Sequence, residues 1–325
     1  MKKSFFWLIF LLFIGGCGNS KITDDNNKSK SIFTVFHTTD GLTDDSVTDT
    51  AMDYIRNGVW FSTRAGISFY SLTDSVFYNY GPNYDLPDME LTSIAIDYSG
   101  TVWAGTVTGL ASIAFGDSLW KSLSVTERDS LAHRYITCLS PIDFSLYIGT
   151  KGGLNVKSFD LWKSYTTDLG SSAEVTSVAK SSSGDIWVGT TNGLSVYNGS
   201  KWTYYSSSVL PSSYVNVVFK DESGKMWVGT SSIAAVYDGV SWTRYGQTDG
   251  LAADGINDFL QDKTGVLWAG TNDGVYYFNN GKWIKLALPA VITGAPVRTL
   301  AADQRNGTLW IGTDSGVVRY YPNQK

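Results

Sequence analysis

Apolar and polar residues alternate along this chain in short runs, each broken by a cluster of Gly, Asn, Asp or Ser. That is the period-two signal of half-buried strands, not the longer period of amphipathic helices. Within the runs one pattern recurs: an apolar residue, Trp, any residue, Gly, Thr, two residues, Gly, and an apolar residue. Its anchors are Trp60, Trp103, Tyr147, Trp187, Trp227, Trp268 and Trp310, spaced 40 to 44 residues apart. Repeats of about forty residues made of short alternating runs predict one four-stranded blade each.

The sixth repeat shows the layout. A first strand over residues 256–261 is followed by Asp262-Lys263-Thr264-Gly265, a turn in which Asp accepts backbone hydrogen bonds and Gly takes the left-handed position. A second strand over 266–270 carries Trp268. Thr271-Asn272-Asp273-Gly274 then turns into a third strand over 275–278, and Asn279-Asn280-Gly281 into a fourth that carries Trp283. The first turn recurs at 97–100, 181–184 and 221–224, the second at 106–109, 150–153, 190–193 and 313–316. In the fifth repeat Ile233 stands where Gly is expected. A β-branched residue avoids positive φ, so a different turn is predicted there.

The seventh repeat supplies three strands before the sequence stops. Phe33-Thr34-Val35-Phe36 through Leu42 aligns with Trp242-Thr243-Arg244-Tyr245 through Leu251, which places a fourth-strand sequence at the start of the repeats. The fold class expected is therefore all-β: a seven-bladed β-propeller of four antiparallel strands per blade. Residues 32–36 should pair with the last blade and close the ring, removing open sheet edges. Composition then acquires a cause. Of 12 Trp, six fall on second strands and five (Trp120, Trp162, Trp202, Trp242 and Trp283) on fourth strands. Such periodicity assigns them to the core between blades rather than to a stacking platform for sugars.

The first residues differ. Lys2 and Lys3 precede an apolar run from Phe5 to Ile14, too short to span a bilayer, and then Gly15-Gly16-Cys17. Ile14-Gly15-Gly16-Cys17 resembles the bacterial lipobox. The domain division expected is a lipoprotein signal peptide at 1–16, a lipidated Cys17 with a flexible polar tether at 17–31, and the propeller at 32–325. Gly18 after the cysteine is similar to lipoproteins sent to the outer membrane of Gram-negative cells, with the propeller on the periplasmic or the surface face. Loss of Lys2 and Lys3 with the signal takes the net charge from -5 to -7. Neither value offers a basic footprint for nucleic acid. Cys138 is then the lone thiol.

The unit apolar-Trp-x-Gly-Thr-x-x-Gly-apolar resembles the two-component regulator propeller family, whose repeats form the periplasmic sensors of hybrid histidine kinases. The resemblance covers seven repeats and nearly all of residues 32–325. It implies a sensor-like binding module, here expected as a stand-alone lipoprotein with no kinase of its own. The family motif is structural, so no catalytic residue carries over.

Candidate chemistry is sparse. With two His and two Cys, no metal centre or cofactor is expected. Asp40, Asp44, Asp45 and Asp49 lack the spacing of a calcium loop. Binding is the better reading, at the channel mouth where the loops between blades meet the turns between second and third strands. Residues expected there are Arg64, Tyr84, His133, Arg134, Tyr135, Lys151, Asn192, Tyr214, Asn272, Asp273 and Asp314. They form a mixed polar and aromatic ring compatible with a glycan or protein ligand, on a monomer whose membrane contact is its lipid. The alternatives are a polysaccharide or cyclic-ester lyase or hydrolase using His133 or His37, and a structural adaptor in an outer-membrane assembly.

Overall fold

The computed structural model describes residues 32–123, 130–170, 173–206, 209–252 and 254–322. The expected signal peptide, Cys17 and the tether lie outside these residues. The described residues form seven four-stranded antiparallel sheets. In six of them the strands follow chain order from the channel outward. The sixth blade, for example, runs Ile256–Gln261, Leu267–Thr271, Gly274–Asn279 and Lys282–Lys285. These bounds sit within a residue or so of the sequence expectation.

The seventh sheet joins the two ends of the repeat array. Phe33–Phe36 pairs antiparallel with Gly316–Tyr320, matching Phe33 to Tyr320 and Phe36 to Val317. The aligned strands Phe33–Phe36 and Trp242–Tyr245 are each followed by the same 3-10 turn, Thr38–Asp40 and Gln247–Asp249. In each, an Asp carboxylate accepts from a backbone N–H three residues earlier, at 2.9 Å for Asp40 and 3.2 Å for Asp249. Closure leaves the innermost strands of the first and seventh blades as neighbours, so the ring is continuous.

The recurring Trp-x-Gly-Thr motif is explained by how blades meet. The Thr ends the second strand, fully buried, and its hydroxyl donates to the carbonyl three residues on, as in Thr271 to Gly274 at 2.8 Å. The preceding Gly is required by close approach. A Cβ on Gly270 would stand 2.8 Å from Val297 Cγ1, and one on Gly189 2.7 Å from Val215 Cγ1, in each case on the next blade. The Trp indole N–H donates to the turn aspartate in four blades: Trp60 to Asp53, Trp103 to Asp97, Trp227 to Asp221 and Trp268 to Asp262, at 2.8–2.9 Å.

The fifth blade turns differently, as Ile233 implied: it is absent from the residues at positive φ, and the pairing stops at Gly229 and Ala234. The second blade departs as well, against expectation. Gly109 is not left-handed and the ladder ends at Gly105 and Leu110, so Gly there is permitted but not used. A second correction concerns tryptophan. All six second-strand Trp, together with Trp120 and Trp283, are buried, but Trp162, Trp202 and Trp242 are only half-buried.

Candidate functional site

Every innermost strand opens with a buried apolar residue followed by a polar one: Val47-Thr48, Leu91-Thr92, Ile136-Thr137, Val175-Thr176, Val215-Asn216, Ile256-Asn257 and Val297-Arg298. In all seven the pairing with the second strand slips at that polar residue. Such a β-bulge breaks the strict in–out alternation. The polar residue and its successor therefore both line the channel neck, a space of about 220 Å³.

These side chains also latch neighbouring blades. Thr137 donates to the Val175 carbonyl at 2.5 Å, Thr176 to Val215 at 2.7 Å, Asn216 to Ile256 at 2.9 Å and Asn257 to Val297 at 2.8 Å. One position further along, Asp49 accepts from the Ile94 N–H at 2.9 Å and Asp258 from the Leu300 N–H at 2.7 Å. Asp49 also accepts from the Thr299 hydroxyl at 3.1 Å, so it bridges the seventh, first and second blades. Burial outweighs these donors and pushes the Asp49 carboxyl up to about 6 and Asp258 to about 8. Cys138 lies on the same ring, its thiol pushed up to about 12 by burial, which makes it a poor nucleophile.

Above the neck the channel widens into a mouth of about 380 Å³. Thr48, Thr92, Thr137, Thr176 and Asn216 form its floor, and Arg64, Glu90, Tyr135, Lys151, Glu174 and Tyr214 its rim. Arg64 and Lys151 come from turns between second and third strands, and the others from loops that enter a new blade. The Lys151 ammonium stands 3.9 Å from the centre of the Tyr135 ring. Burial, with the Glu174 charge nearby, raises the Tyr214 phenol. Two cations, two carboxylates and two phenol rings thus surround a polar floor.

Four expected residues, Arg64, Tyr135, Lys151 and Tyr214, meet at this mouth; the rest have other placements. Tyr84 packs edge-on against Tyr80, 5.1 Å between ring centres, under the first-to-second blade junction. His133 Nδ1 accepts from the Tyr135 N–H at 2.9 Å and so shapes its own loop, and Arg134 is exposed beside it. Asn192 offers its carbonyl to the Tyr204 hydroxyl. Asn272 accepts from Asn257 Nδ2 at 2.9 Å, bracing the ring from above. Asp273 pairs with Lys285 at 2.7 Å, which lowers its carboxyl. Asp314 holds Arg298 in a two-point contact of 2.9 and 2.5 Å. His37 lies 3.7 Å from Asp45, away from His133 in the contacts of either. Among the described residues, no three His, Cys, Asp or Glu side chains are grouped to share a metal ion.

Glu174 and the Thr, Asn and Arg ring escaped the sequence reading. The signal of the ring was present as the polar residue after the first apolar one of every repeat, but strict alternation points only one of two successive residues inward. Glu174 lies just before that apolar residue, in the loop that enters the fourth blade.

Residues 209–232 and 250–273 match the two-component regulator propeller family, each spanning the first two strands of a blade. No curated protein matches the sequence. Among solved structures, the chain is similar to the extracellular domain of BT3049 from B. thetaiotaomicron, described as belonging to a hybrid two component system. Identity is 18%, with 89% of this chain covered and a TM-score of 0.76. The chain spans 41% of the length of that domain. Virginiamycin B lyase from Staphylococcus aureus, solved with quinupristin, is 14% identical over 88% of this chain and 98% of its own, with a TM-score of 0.70. YCF48 bound to D1 peptide is 11% identical over 91% and 97%, with a TM-score of 0.67. At these identities the likeness is one of fold.

Proposed function

We propose that this ring, whose repeats include those of the two-component regulator propeller family, is a lipid-anchored envelope module that binds a glycan or protein segment at its channel mouth. One observation carries the reading: six charged or aromatic rim residues from separate loops converge over a concave polar floor. The latched neck beneath holds that floor rigid, so little ordering cost falls on binding. Tyr135 and Tyr214 can stack on a sugar face or a peptide side chain, while Arg64 and Lys151, together with Glu90 and Glu174 on the same rim, set orientation. A sensor role agrees with the likeness to an extracellular domain of a hybrid two component system. Attachment would be through Cys17.

The test is calorimetric titration of the mature ring with neutral and acidic oligosaccharides and with short peptides. Arg64→Ala with Lys151→Ala should weaken binding by roughly tenfold or more without lowering thermal stability. Binding untouched by both changes would place the ligand elsewhere. Cys17→Ser should move the protein from the membrane fraction to the soluble one.

A further inference from the structure

At three junctions a fourth-strand Trp of one blade packs on the second-strand Trp of the blade before it. Trp120 meets Trp60 at 5.9 Å between ring centres, Trp242 meets Trp187 at 5.9 Å, and Trp283 meets Trp227 at 5.8 Å. Between the third and fourth blades the second-strand position holds the smaller Tyr147, and a cavity of about 580 Å³ opens there. That volume falls within the range of small-molecule sites, about 300–1,000 Å³. It lies between two blade faces, whereas the channel mouth lies on the axis, and the two spaces share no lining residue.

Its walls select a ligand class. Trp202 stands 5.0 Å from Tyr197 and, edge-on, 5.3 Å from Tyr165, forming an aromatic array backed by Leu154 and Ile186. Trp120 and Trp283, at equivalent positions, are 1% and 2% exposed, whereas Trp202, half-buried like Trp162 and Trp242, lines this cavity. Polar wall groups are partly engaged already: the Tyr197 hydroxyl donates to the Gly199 carbonyl at 2.7 Å and the Ser158 hydroxyl pairs with Ser145 at 2.6 Å. A polyhydroxylated ligand would leave hydroxyls unpaired here. The charged residues lining the cavity are Lys163 and Lys180, and no carboxylate lines it among the described residues. Lys180 is paired with Asp143, whereas the Lys163 ammonium lies 4.7 Å from the centre of the Tyr165 ring with no carboxylate within ion-pair distance among the described residues. We propose that this cavity is a second binding site, for a flat aromatic ring carrying an acidic group, with the ring against Trp202 and Tyr165 and the acid at Lys163.

The probe is 1-anilinonaphthalene-8-sulfonate, followed by its own fluorescence and by energy transfer from tryptophan, with neutral N-phenyl-1-naphthylamine as comparison. Saturable one-to-one binding of the anion, roughly tenfold tighter than the neutral probe, is expected. Tyr147→Trp restores the indole found at the other six junctions and should abolish binding without lowering Tm. Val156→Phe, which fills the same cavity from the third strand, serves if that variant folds poorly. Lys163→Gln should weaken the anion by about tenfold and leave the neutral probe unchanged. Val240→Ser, on an exposed turn of the fifth blade (89% exposed), should change nothing. Absence of saturable binding, equal affinity for both probes, or an unchanged Kd in both filled variants would overturn the assignment.

Discussion

Asp262 is 3% exposed and uses both oxygens. Oδ1 accepts from the Thr264 and Val266 N–H groups at 2.8 and 3.2 Å and from the Thr264 hydroxyl at 2.5 Å. Oδ2 accepts from the buried Trp268 indole at 2.8 Å. The fourth blade provides an internal control, because Ser181 occupies the equivalent place. Its hydroxyl still accepts from the Asp185 N–H at 3.0 Å, but the buried Trp187 indole N–H has no partner. Asp262→Ser therefore keeps much of the turn and removes the indole bond. A hydrogen bond to a charged group contributes about 1.5–3 kcal/mol, and the orphaned N–H adds to the loss. With about 2–4 °C per kcal/mol for a domain near this size, the apparent Tm should fall by roughly 5–10 °C. Ser181→Asp should raise it by about 2–4 °C, the gain reduced by desolvating the new carboxylate. Differential scanning calorimetry of both variants is the assay. If both shift Tm in the same direction, or neither moves it beyond about 1 °C, the Asp–Trp pair is not what ties turn to strand.

Three further outcomes are expected. Gly270→Ala should cost about 1–3 kcal/mol because its Cβ meets Val297, while Gly81→Ala, with open space around it, should stay within about 0.5 kcal/mol; chemical denaturation of the pair checks this. Phe36→Ala should cost about 2–3 kcal/mol and raise hydrogen exchange in the seventh blade first, since Phe36 ties the closing strand to Tyr70 and Phe77 at 5.1 and 5.6 Å. Burial raises Asp49 to about 6 and Asp258 to about 8 from 3.8, so the folded ring favours their protonated forms. The stability they add is complete below pH 3.8 and is lost as pH climbs through those values. Unfolding midpoints across this range should fall with pH, and Asp258→Asn should flatten the fall; an unaltered slope would refute the assignment.

How far the sequence reached follows from the range of the forces involved. Gly265 and Gly281 take positive φ as their turns required, and Ile233 forced a different turn because a branched Cβ resists that region. At Gly109 the same reasoning missed, since glycine allows a left-handed turn without compelling one. For the mouth, loop position identified Arg64, Tyr135, Lys151 and Tyr214. It could not separate them from Asp273 or Asp314, whose charges are taken up by Lys285 and Arg298.

Blade count and strand order within a blade could be read from the chain alone, because they rest on alternation and turn chemistry between residues close in sequence. Closure could be read because Phe33–Phe36 repeats the fourth-strand sequence of Trp242–Tyr245 and only the last blade lacks that strand. The channel ring and the gap beside Tyr147 were decided only by the tertiary structure. A bulge in every innermost strand turns two successive residues inward, and its existence depends on pairing with the neighbouring strand. Whether an aromatic position is core or cavity wall depends on what the adjacent blade presents to it. Trp202 and Trp283 occupy the same place in the repeat, yet one faces Tyr147 across an open cavity and the other is sealed against Trp227.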